Sequence, residues 1–305
     1  MSAASHSDMP RALITGIGGF TGHYLARELE WAGYDVFGIV HGRHPMDSKQ
    51  FAVDLCDRDQ LADAVTTIQP EVVAHLAAIS FVAHGDVEAL YRINIIGTRN
   101  LLQSLANLTK PPRAVLLASS ANIYGNAPVE IINEDVPPSP ANDYAVSKLA
   151  MEQMAHLWLD RLPIVVTRPF NYTGVGQAPH FLLPKIVGHF QRGQNIIELG
   201  NIDVERDFSD VRTIAHIYAA LLQQPPTGEV FNVCSGKVYS LKNILALMAE
   251  IAGYEIEAHV NPAFVRTNEI KRLQGDATRL REVLGSIDCI PLQETLRWMF
   301  ESGSF

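Results

Sequence analysis

Two side chains near the middle of the chain, Tyr144 and Lys148, have the types and the spacing that proton transfer requires. They lie four residues apart in NDYAVSKLAMEQ, a spacing that puts both on one helix face. A lysine ammonium beside a phenol favours the phenolate, which lowers the tyrosine pKa from its reference value of about 10. The phenol then acts as acid or base near neutral pH, although ordinary surface helices also carry such pairs.

Two adjacent serines lie upstream of this helix, at the end of an apolar segment. Ser119 and Ser120 end the apolar segment RAVLLASS, which is a predicted buried strand. Doubly wound sheets place their sites at the carboxyl edge of the strands. A hydroxyl there can hydrogen-bond the carbonyl or alcohol oxygen of a reacting group, so the residues together indicate oxidoreductase chemistry.

A glycine-rich turn, TGIGGFTG, lies upstream, after a predicted strand and before a helical pattern. Glycines at this spacing permit a tight turn, close approach of the backbone to a pyrophosphate, and close packing of helix on strand. The N-terminus of the helix offers free N–H groups to the phosphates. We expect a dinucleotide to be held by Gly16, Gly18, Gly19, Phe20, Thr21 and Gly22.

The end of the second strand bears on which cofactor binds. A site for NAD usually has a carboxylate there for the ribose 2′-hydroxyl, but this chain reads IVHGRH. Arg43 in that segment can pair with a 2′-phosphate, which favours NADPH over NADH or NAD. Asp54 and the adjacent Leu55 are expected at the adenine edge. Asp54, like Asp57, also has the position of a helix cap.

The elements that position these residues follow from hydrophobic patterning. Apolar segments without period-two alternation, as in strands buried on both faces, are 11–16, 34–40, 71–78, 113–120 and 163–170. Helical patterns lie at about 20–32, 57–68, 86–107 and 143–161. The alternation predicts an α/β fold: a Rossmann-type doubly wound parallel sheet with a smaller C-terminal α/β substrate lobe. We expect a dinucleotide-binding domain over 10–168, with about 206–234 returning to it, and a lobe over 169–205 and 235–305.

Composition limits the partners. The 305 residues carry a net charge of −9, which argues against nucleic acid or an anionic membrane surface. Three scattered cysteines are typical of a reducing compartment, and neither a secretion signal nor a membrane-length apolar run is present. The histidines do not cluster at ligand spacing, so we predict no metal site. The expected location is the cytoplasm.

With these motifs in order, the chain resembles the extended short-chain dehydrogenase/reductase family from Arg11 to about Phe300. The resemblance makes Ser120, four residues before the tyrosine of NIYG, the catalytic hydroxyl beside Tyr144 and Lys148, and leaves Ser119 structural. It also implies that Tyr144 and Lys148 contact the cofactor and that Asn94 lies near the site. The segment HLAAIS is similar to the family's cofactor loop, which implies contacts from Leu76, Ala77 and Ala78 and a substrate contact from Ser80.

The residue two after the catalytic serine narrows the reaction. In the family's 4,6-dehydratases this residue is typically a glutamate that helps to eliminate water, but here it is Asn122. An amide does not accept a proton as a carboxylate does, so the pattern disfavours 4,6-dehydration. We expect Asn122 to contact the substrate instead.

The second half resembles the GDP-6-deoxy-D-mannose reductases, in RPFNYTGVGQ, GNIDVERDFSDV and VRTNEIKRLQGDATRL. The resemblance implies NAD(P)H-dependent reduction of GDP-4-keto-6-deoxy-D-mannose at C4, giving GDP-D-rhamnose or its C4 epimer GDP-6-deoxy-D-talose. It leaves open whether the base is guanine, thymine or uracil. It also implies substrate contacts from Asn171, Lys185, Arg206, Arg266 and Glu269. For Arg206, a structural ion pair with Asp207, or surface pairing with Glu205 or Asp210, is the alternative.

Two other functions stay open, and so does the oligomeric state. A nucleotide-sugar 4-epimerase would use the same serine, tyrosine and lysine with tightly held NAD. A nucleotide-sensing protein without catalysis would not need the Tyr144–Lys148 pair. The family resemblance implies a homodimer through the helices 86–107 and 143–161, whose extra apolar residues, such as Met151 and Leu157, also suit core packing.

Overall fold

The computed structural model describes residues 9–42, 45–80, 86–264 and 271–303. Its strands are β1 (Arg11–Thr15), β2 (Asp35–Val40), β3 (Gln50–Ala52), β4 (Val72–His75), β5 (Ala114–Ala118), β6 (Ile164–Pro169), β7 (Asn171–Thr173), β8 (Ile196–Leu199), β9 (Glu205–Asp210), β10 (Val230–Val233), β11 (Val238–Ser240), β12 (Glu257–Val260) and β13 (Arg272–Leu273). Its α-helices are α1 (Phe20–Trp31), α2 (Arg58–Ile68), α3 (Val87–Tyr91), α4 (Thr98–Ala106), α5 (Asp143–His156), α6 (Leu182–Gln191), α7 (Val211–Gln223), α8 (Leu241–Ala252), α9 (Thr278–Leu284) and α10 (Leu292–Glu301).

A seven-stranded sheet has the order β10-β6-β5-β4-β1-β2-β3. The pairs from β3 to β6 are parallel. Leu13 and Ile14 of β1 point to opposite faces, and both are fully buried. Burial on both faces is why the strand segments lack alternation. The predicted Rossmann-type fold is confirmed. The short edge strand β3 was not predicted, because its residues are only partly buried and form no apolar run.

The helix predicted over 86–107 is interrupted. A π-helical turn, Arg92–Gly97, separates α3 from α4. Asn94 and Gly97 are buried in it, and a Cβ on Gly97 would lie 2.9 Å from the Cβ of Leu55. The glycine therefore allows the turn to pack closely, and π turns often occur at functional sites.

The later part of the chain builds smaller sheets. β9 pairs antiparallel with β11 and parallel with β13 and β7, while β8 pairs with β12. An apolar core formed largely by α6, α8 and α10 includes Phe190, Ile244 and Leu296. Arg206 lies in the middle of this arrangement, opposite Tyr239 of β11.

The chain divides into two compact units. The first comprises Met1–Ile123, Pro140–Arg168 and Ala215–Phe231, and the second comprises Tyr124–Ser139, Pro169–Ile214 and Asn232–Phe305. The assignment of a dinucleotide-binding domain and a substrate lobe to such parts stays a prediction. Among the described residues, no helix has both the length and the apolar character to span a membrane.

Candidate active site

The glycine-rich turn has the close backbone packing that a dinucleotide site requires. Gly16 has a φ of +76°, and a Cβ there would lie 2.9 Å from the Ala77 nitrogen. A Cβ on Gly22 would lie 2.5 Å from the Gly16 carbonyl oxygen. Gly19 is the N-cap of α1, and it provides no side-chain hydrogen bond to the first turn of the helix. These residues fit a pyrophosphate held by backbone N–H groups.

A buried hydrogen-bond chain runs from the cofactor loop to the π turn. Thr98 Oγ1 donates its hydrogen to the Asn94 carbonyl at 2.7 Å. At its 2.8 Å contact with His75 Nε2, the Thr98 oxygen must therefore be the hydrogen-bond acceptor. His75 Nε2 therefore carries the hydrogen, and Nδ1 accepts from Thr15 Oγ1 at 2.7 Å. Thr15 Oγ1 accepts in turn from the Ala77 N–H at 3.3 Å. Each of these hydrogen bonds then has one donor and one acceptor, and this arrangement of hydrogen bonds requires a neutral His75.

Burial, followed by a nearby lysine charge, lowers the pKa of His75 from 6.5 to about 3. The imidazole is therefore neutral at every ordinary pH, as the hydrogen-bond directions demand. A second proton on Nδ1 would remove the acceptor for the Thr15 hydroxyl hydrogen, which would then need another partner.

Asn94 connects the π turn to the helix of Tyr144. Its Oδ1 accepts from the Ile79 N–H at 2.9 Å, and its Nδ2 donates to the Ile79 carbonyl at 3.2 Å. The same Nδ2 donates to Ser147 Oγ at 3.0 Å, and Ser147 donates to the Tyr144 carbonyl at 2.8 Å. One amide thus holds the loop after β4 and the start of α5. The expectation that Asn94 lies near the site agrees with this geometry.

Lys148 is buried, and its ammonium donates to the Ala118 carbonyl at the end of β5, 2.7 Å away. Burial lowers the pKa of Lys148 from 10.5 to about 8, while the charge of Glu152 opposes that shift. Glu152, one helical turn further on, is itself buried and receives a forked pair from Arg168 of β6, with contacts of 2.7–3.2 Å. Tyr144, one turn before Lys148, is 8% exposed.

Ser120 lies two residues beyond Ala118, in the turn that leads from β5 into a 3-10 helix over Ala121–Tyr124. Its Oγ accepts from the Asn122 N–H at 3.2 Å and from Asn122 Nδ2 at 3.1 Å. The neighbouring Ser119 hydroxyl is enclosed and has no hydrogen-bond partner among the described residues. The two serines therefore differ in their hydrogen bonding, and the assignment of Ser120 as the catalytic hydroxyl with Ser119 as structural stays a prediction.

The residues predicted to contact the adenine and the rest of the cofactor lie in different surroundings. Asp54 accepts from the Cys56 N–H at 2.8 Å and lines an open pocket with Arg58 and Arg92. The cap of α2 is Asp57, so the alternative reading of Asp54 as that cap was wrong. Leu55 has a buried side chain. Leu76, Ala77 and Ala78 follow β4, and Ser80 is exposed there, whereas Arg43 lies outside the described residues.

Three predicted substrate residues are described within the second unit. Arg206 donates to the Glu205 carbonyl at 2.9 Å, while the Glu205 carboxylate binds Arg272 at 2.6 Å. Asp210, another acid considered for Arg206, is bound by Arg212 at 2.7 Å.

The other two hold backbone oxygens. Asn171 Nδ2 donates to the Asp207 carbonyl at 3.3 Å. Lys185 donates to the Glu198 carbonyl at 2.7 Å and lies over the Phe264 ring, 4.6 Å from its centroid. Arg266 and Glu269 lie outside the described residues.

Sequence reasoning missed the polar groups that hold these side chains. His75 was one of eleven scattered histidines, and Glu152 looked like an ordinary helix charge. Glu152 follows Lys148 by the same four residues that separate Tyr144 from Lys148, which was a usable signal. Asp207 was considered only as an ion-pair partner of Arg206, but its buried carboxylate accepts from Ser235 and Gly236.

Comparison with known proteins agrees with this geometry. The chain is 35% identical over 279 residues to a GDP-6-deoxy-D-talose 4-dehydrogenase of Aggregatibacter actinomycetemcomitans, covering 90% of this chain and 92% of that protein. It is 34% identical over 298 residues to a GDP-6-deoxy-D-mannose reductase of Pseudomonas aeruginosa, covering 94% and 95%.

Solved structures agree as well. A candidate epimerase from Burkholderia cenocepacia J2315 has a TM-score of 0.92 and 50% identity, covering 97% of this chain and 98% of that one. RMD from Pseudomonas aeruginosa, complexed with NADPH, has a TM-score of 0.84 and 32% identity, covering 97% and 98%. The family model for GDP-mannose 4,6 dehydratase matches residues 13–299. The chain therefore belongs to the GDP-mannose 4,6-dehydratase family of extended short-chain dehydrogenases/reductases.

Proposed function

We propose that this protein is an NAD(P)H-dependent reductase of a nucleotide-linked 4-keto-6-deoxy sugar. The substrate is GDP-4-keto-6-deoxy-D-mannose, and the product is GDP-D-rhamnose or its C4 epimer, GDP-6-deoxy-D-talose. The observation that carries the proposal is the Tyr144–Lys148 pair on α5, with Lys148 bonded to the last residue of β5, two residues before Ser120. The two relatives at 34–35% identity act on GDP-6-deoxy sugars by their names, which supports this substrate class.

The proposed chemistry divides the work among three side chains. The nicotinamide cofactor, when bound, supplies the hydride. Ser120 donates a hydrogen bond to the C4 oxygen, and Tyr144 delivers a proton to that oxygen. The positive charge of Lys148 stabilises the phenolate left on Tyr144. Lys148 follows Tyr144 by one turn of α5, and its ammonium donates to the Ala118 carbonyl at the end of β5.

NADPH is the proposed cofactor, with NADH as the alternative. No carboxylate follows β2 in the segment HGRH, and Arg43 there suits a 2′-phosphate. The complex of the Pseudomonas aeruginosa RMD with NADPH supports the same choice. The proposed contacts are the glycine turn, Asp54 and Leu55, the loop after β4, Tyr144 and Lys148.

For the substrate, we propose that Arg206 and Arg266 bind the diphosphate and that Glu269 accepts from ribose hydroxyls. Arg206 Nη1 donates to two main-chain carbonyls, those of Glu205 and Lys271. A guanidinium is the side chain whose fork of donors best matches a phosphate. Asn171 and Lys185 are proposed to reach the sugar or phosphates, while Ser80 and Asn122 lie at the sugar end.

The family's name describes a dehydratase, but Asn122 argues against dehydration here. Elimination of water needs a group that accepts a proton, and the amide instead donates to Ser120. A nucleotide-sugar 4-epimerase is the second candidate, and it is favoured by the similarity to the candidate epimerase of Burkholderia cenocepacia. An epimerase retains its NAD, whereas a reductase exchanges cofactor at every turnover.

We also propose a homodimer in the cytoplasm. On the helices expected at the interface, Met151 is buried in the core of the first unit. The exposed apolar side chains within the segments expected at the interface are Val87, Ile96, Val146 and Leu157, with exposed fractions of 39–80%. Sedimentation of Val146→Glu beside the wild type tests this surface. The free thiols, of which Cys289 is exposed, are compatible with a reducing compartment.

One incubation tests the function. The protein is mixed with NADPH and with GDP-, dTDP- or UDP-linked 4-keto-6-deoxy sugars, nicotinamide absorbance is followed, and the product is assigned by NMR. We expect turnover with the GDP sugar, and loss of at least about a hundredfold in Tyr144→Phe. Turnover with a dTDP or UDP sugar alone would contradict the GDP assignment. NAD that survives purification, with interconversion of C4 epimers, would favour the epimerase.

A further inference from the structure

Ser120 receives two hydrogen bonds from one residue. The Asn122 backbone N–H lies 3.2 Å from Ser120 Oγ, and the Asn122 side-chain Nδ2 lies 3.1 Å from the same atom. The tight 3-10 helix over Ala121–Tyr124 brings both donors onto one oxygen, and its first bond runs from the Ile123 N–H to the Ser120 carbonyl. Both donors belong to the unit that carries Tyr144 and Lys148.

A serine hydroxyl has one hydrogen and two acceptor lone pairs. Two N–H donors occupy both lone pairs, so the hydroxyl hydrogen must point away from Asn122. We propose that Asn122 is a positioning residue that fixes Ser120 as a hydrogen-bond donor to the C4 oxygen of the substrate. The inference rests on the proposed reduction at C4, where a fixed donor stabilises the negative charge that develops on oxygen.

The residue type at position 122 then decides the direction of this hydrogen bond. A carboxylate accepts only, so it would draw the Ser120 hydrogen toward itself and away from the substrate. An amide sends that hydrogen outward. Position 122 thereby becomes a specificity determinant in this chain: its amide supports reduction of a ketone, and it offers no base for eliminating water.

Asn122→Asp tests the proposal because it keeps the shape of the side chain and removes its donor. In the assay on which wild type turns over, we expect kcat to fall by about 10- to 100-fold, with the KM for NADPH unchanged. Asn122→Ala, which keeps the backbone donor, is expected to lose less. Lower pH protonates the introduced carboxyl and so restores a donor. The difference in kcat between Asn122→Asp and wild type, compared at the same pH, should therefore become smaller.

Coupling to Ser120 separates positioning from a general structural role. In a Ser120→Ala background, Asn122→Asp is expected to have no further effect, because the hydroxyl it orients is gone. Equal turnover of Asn122→Asp and wild type would overturn the proposal. So would an undiminished effect of Asn122→Asp in the Ser120→Ala background.

A second measurement needs no substrate and so stands apart from the proposed function. Neutron diffraction from crystals exchanged into D₂O locates the deuterons of both side chains. The proposal predicts the Asn122 ND₂ group facing Ser120 and the Ser120 deuteron pointing away from it. A Ser120 deuteron directed at the Asn122 oxygen would refute the orientation, while a wild type inert on every keto sugar would refute only the reaction.

Discussion

Acid is expected to destabilise this protein through His75, because the folded chain keeps that imidazole neutral. Its pKa is about 3 in the fold, against 6.5 for an unperturbed histidine. Below about pH 6.5 the unfolded chain binds a proton that the folded chain excludes, so the free energy of unfolding falls as pH falls. Above that pH both states are neutral at this site, and the effect vanishes.

The magnitude follows from the difference in pKa. Each pH unit between about 6.5 and 3 removes about 1.4 kcal/mol, which amounts to about 2 kcal/mol by pH 5. Native proteins are typically stable by roughly 5–15 kcal/mol, so this loss is a substantial share. The burial of the hydrogen-bonded residues Thr15, His75, Thr98 and Asn94 therefore also makes the fold sensitive to acid.

Urea unfolding of wild type and His75→Gln, at about pH 7.5 and pH 5, measures the effect. The variant loses buried hydrogen bonds and is less stable at neutral pH, but it has no imidazole to protonate on unfolding. The difference in free energy of unfolding between wild type and His75→Gln is expected to be about 2 kcal/mol smaller at about pH 5 than at about pH 7.5. Carboxylates titrate in both proteins and cancel, and His23→Gln, at an exposed position of α1, is the matched control. A gap that is equal at both pH values would refute the reasoning.

Three further predictions concern the site. Glu152→Gln removes the charge that raises the pKa of Lys148, so the alkaline limb of the kcat profile should move to lower pH. Gly22→Ala places a Cβ 2.5 Å from a turn carbonyl and should weaken NADPH binding, followed by nicotinamide fluorescence, by about tenfold or more. Gly33→Ala, which meets no atom but has a φ of +86°, is the control for backbone strain at a glycine outside the turn. Arg206→Lys should raise the KM for the nucleotide sugar about tenfold, because lysine lacks the fork.

Each of the three has a contradicting outcome. An unchanged pH profile in Glu152→Gln would mean that the buried Glu152–Arg168 pair serves packing alone. Equal cofactor affinity in Gly22→Ala and Gly33→Ala would remove the steric argument for the turn. A KM unaffected by Arg206→Lys would assign the diphosphate to other residues.

Much of the fold was predictable because burial leaves a local mark. The continuous apolar runs around Leu13 and Val115 predicted strands covered on both faces, and both residues are fully buried. The glycine spacing predicted the turn after β1, because only backbone without Cβ fits there. The edge strand β3 and the π turn over Arg92–Gly97 leave no such mark, since each depends on what packs against it.

The candidate site was predictable as a set of residue types but not as a network. The roles of Ser120, Tyr144 and Lys148 follow from residue type, spacing and the family resemblance, and these assignments stay predictions until variants are measured. The neutral His75 was out of reach, because its pKa depends on burial and on the charge of Lys148. Its tautomer depends on Thr15 and Thr98, which are distant in the chain. The donors on Ser120 were equally hidden, since the direction of a hydrogen bond is a matter of geometry.

The central claim, reduction at C4 with a proton from Tyr144, is tested most directly by following the transferred atom. The protein is incubated with GDP-4-keto-6-deoxy-D-mannose and with NADPH that carries deuterium at the transferable position, and the product is examined by NMR. The account predicts one deuterium at C4 of a GDP-6-deoxyhexose, and no such product from Tyr144→Phe. Deuterium at any other carbon, or label at C4 that Tyr144→Phe produces as fast as wild type, would contradict it.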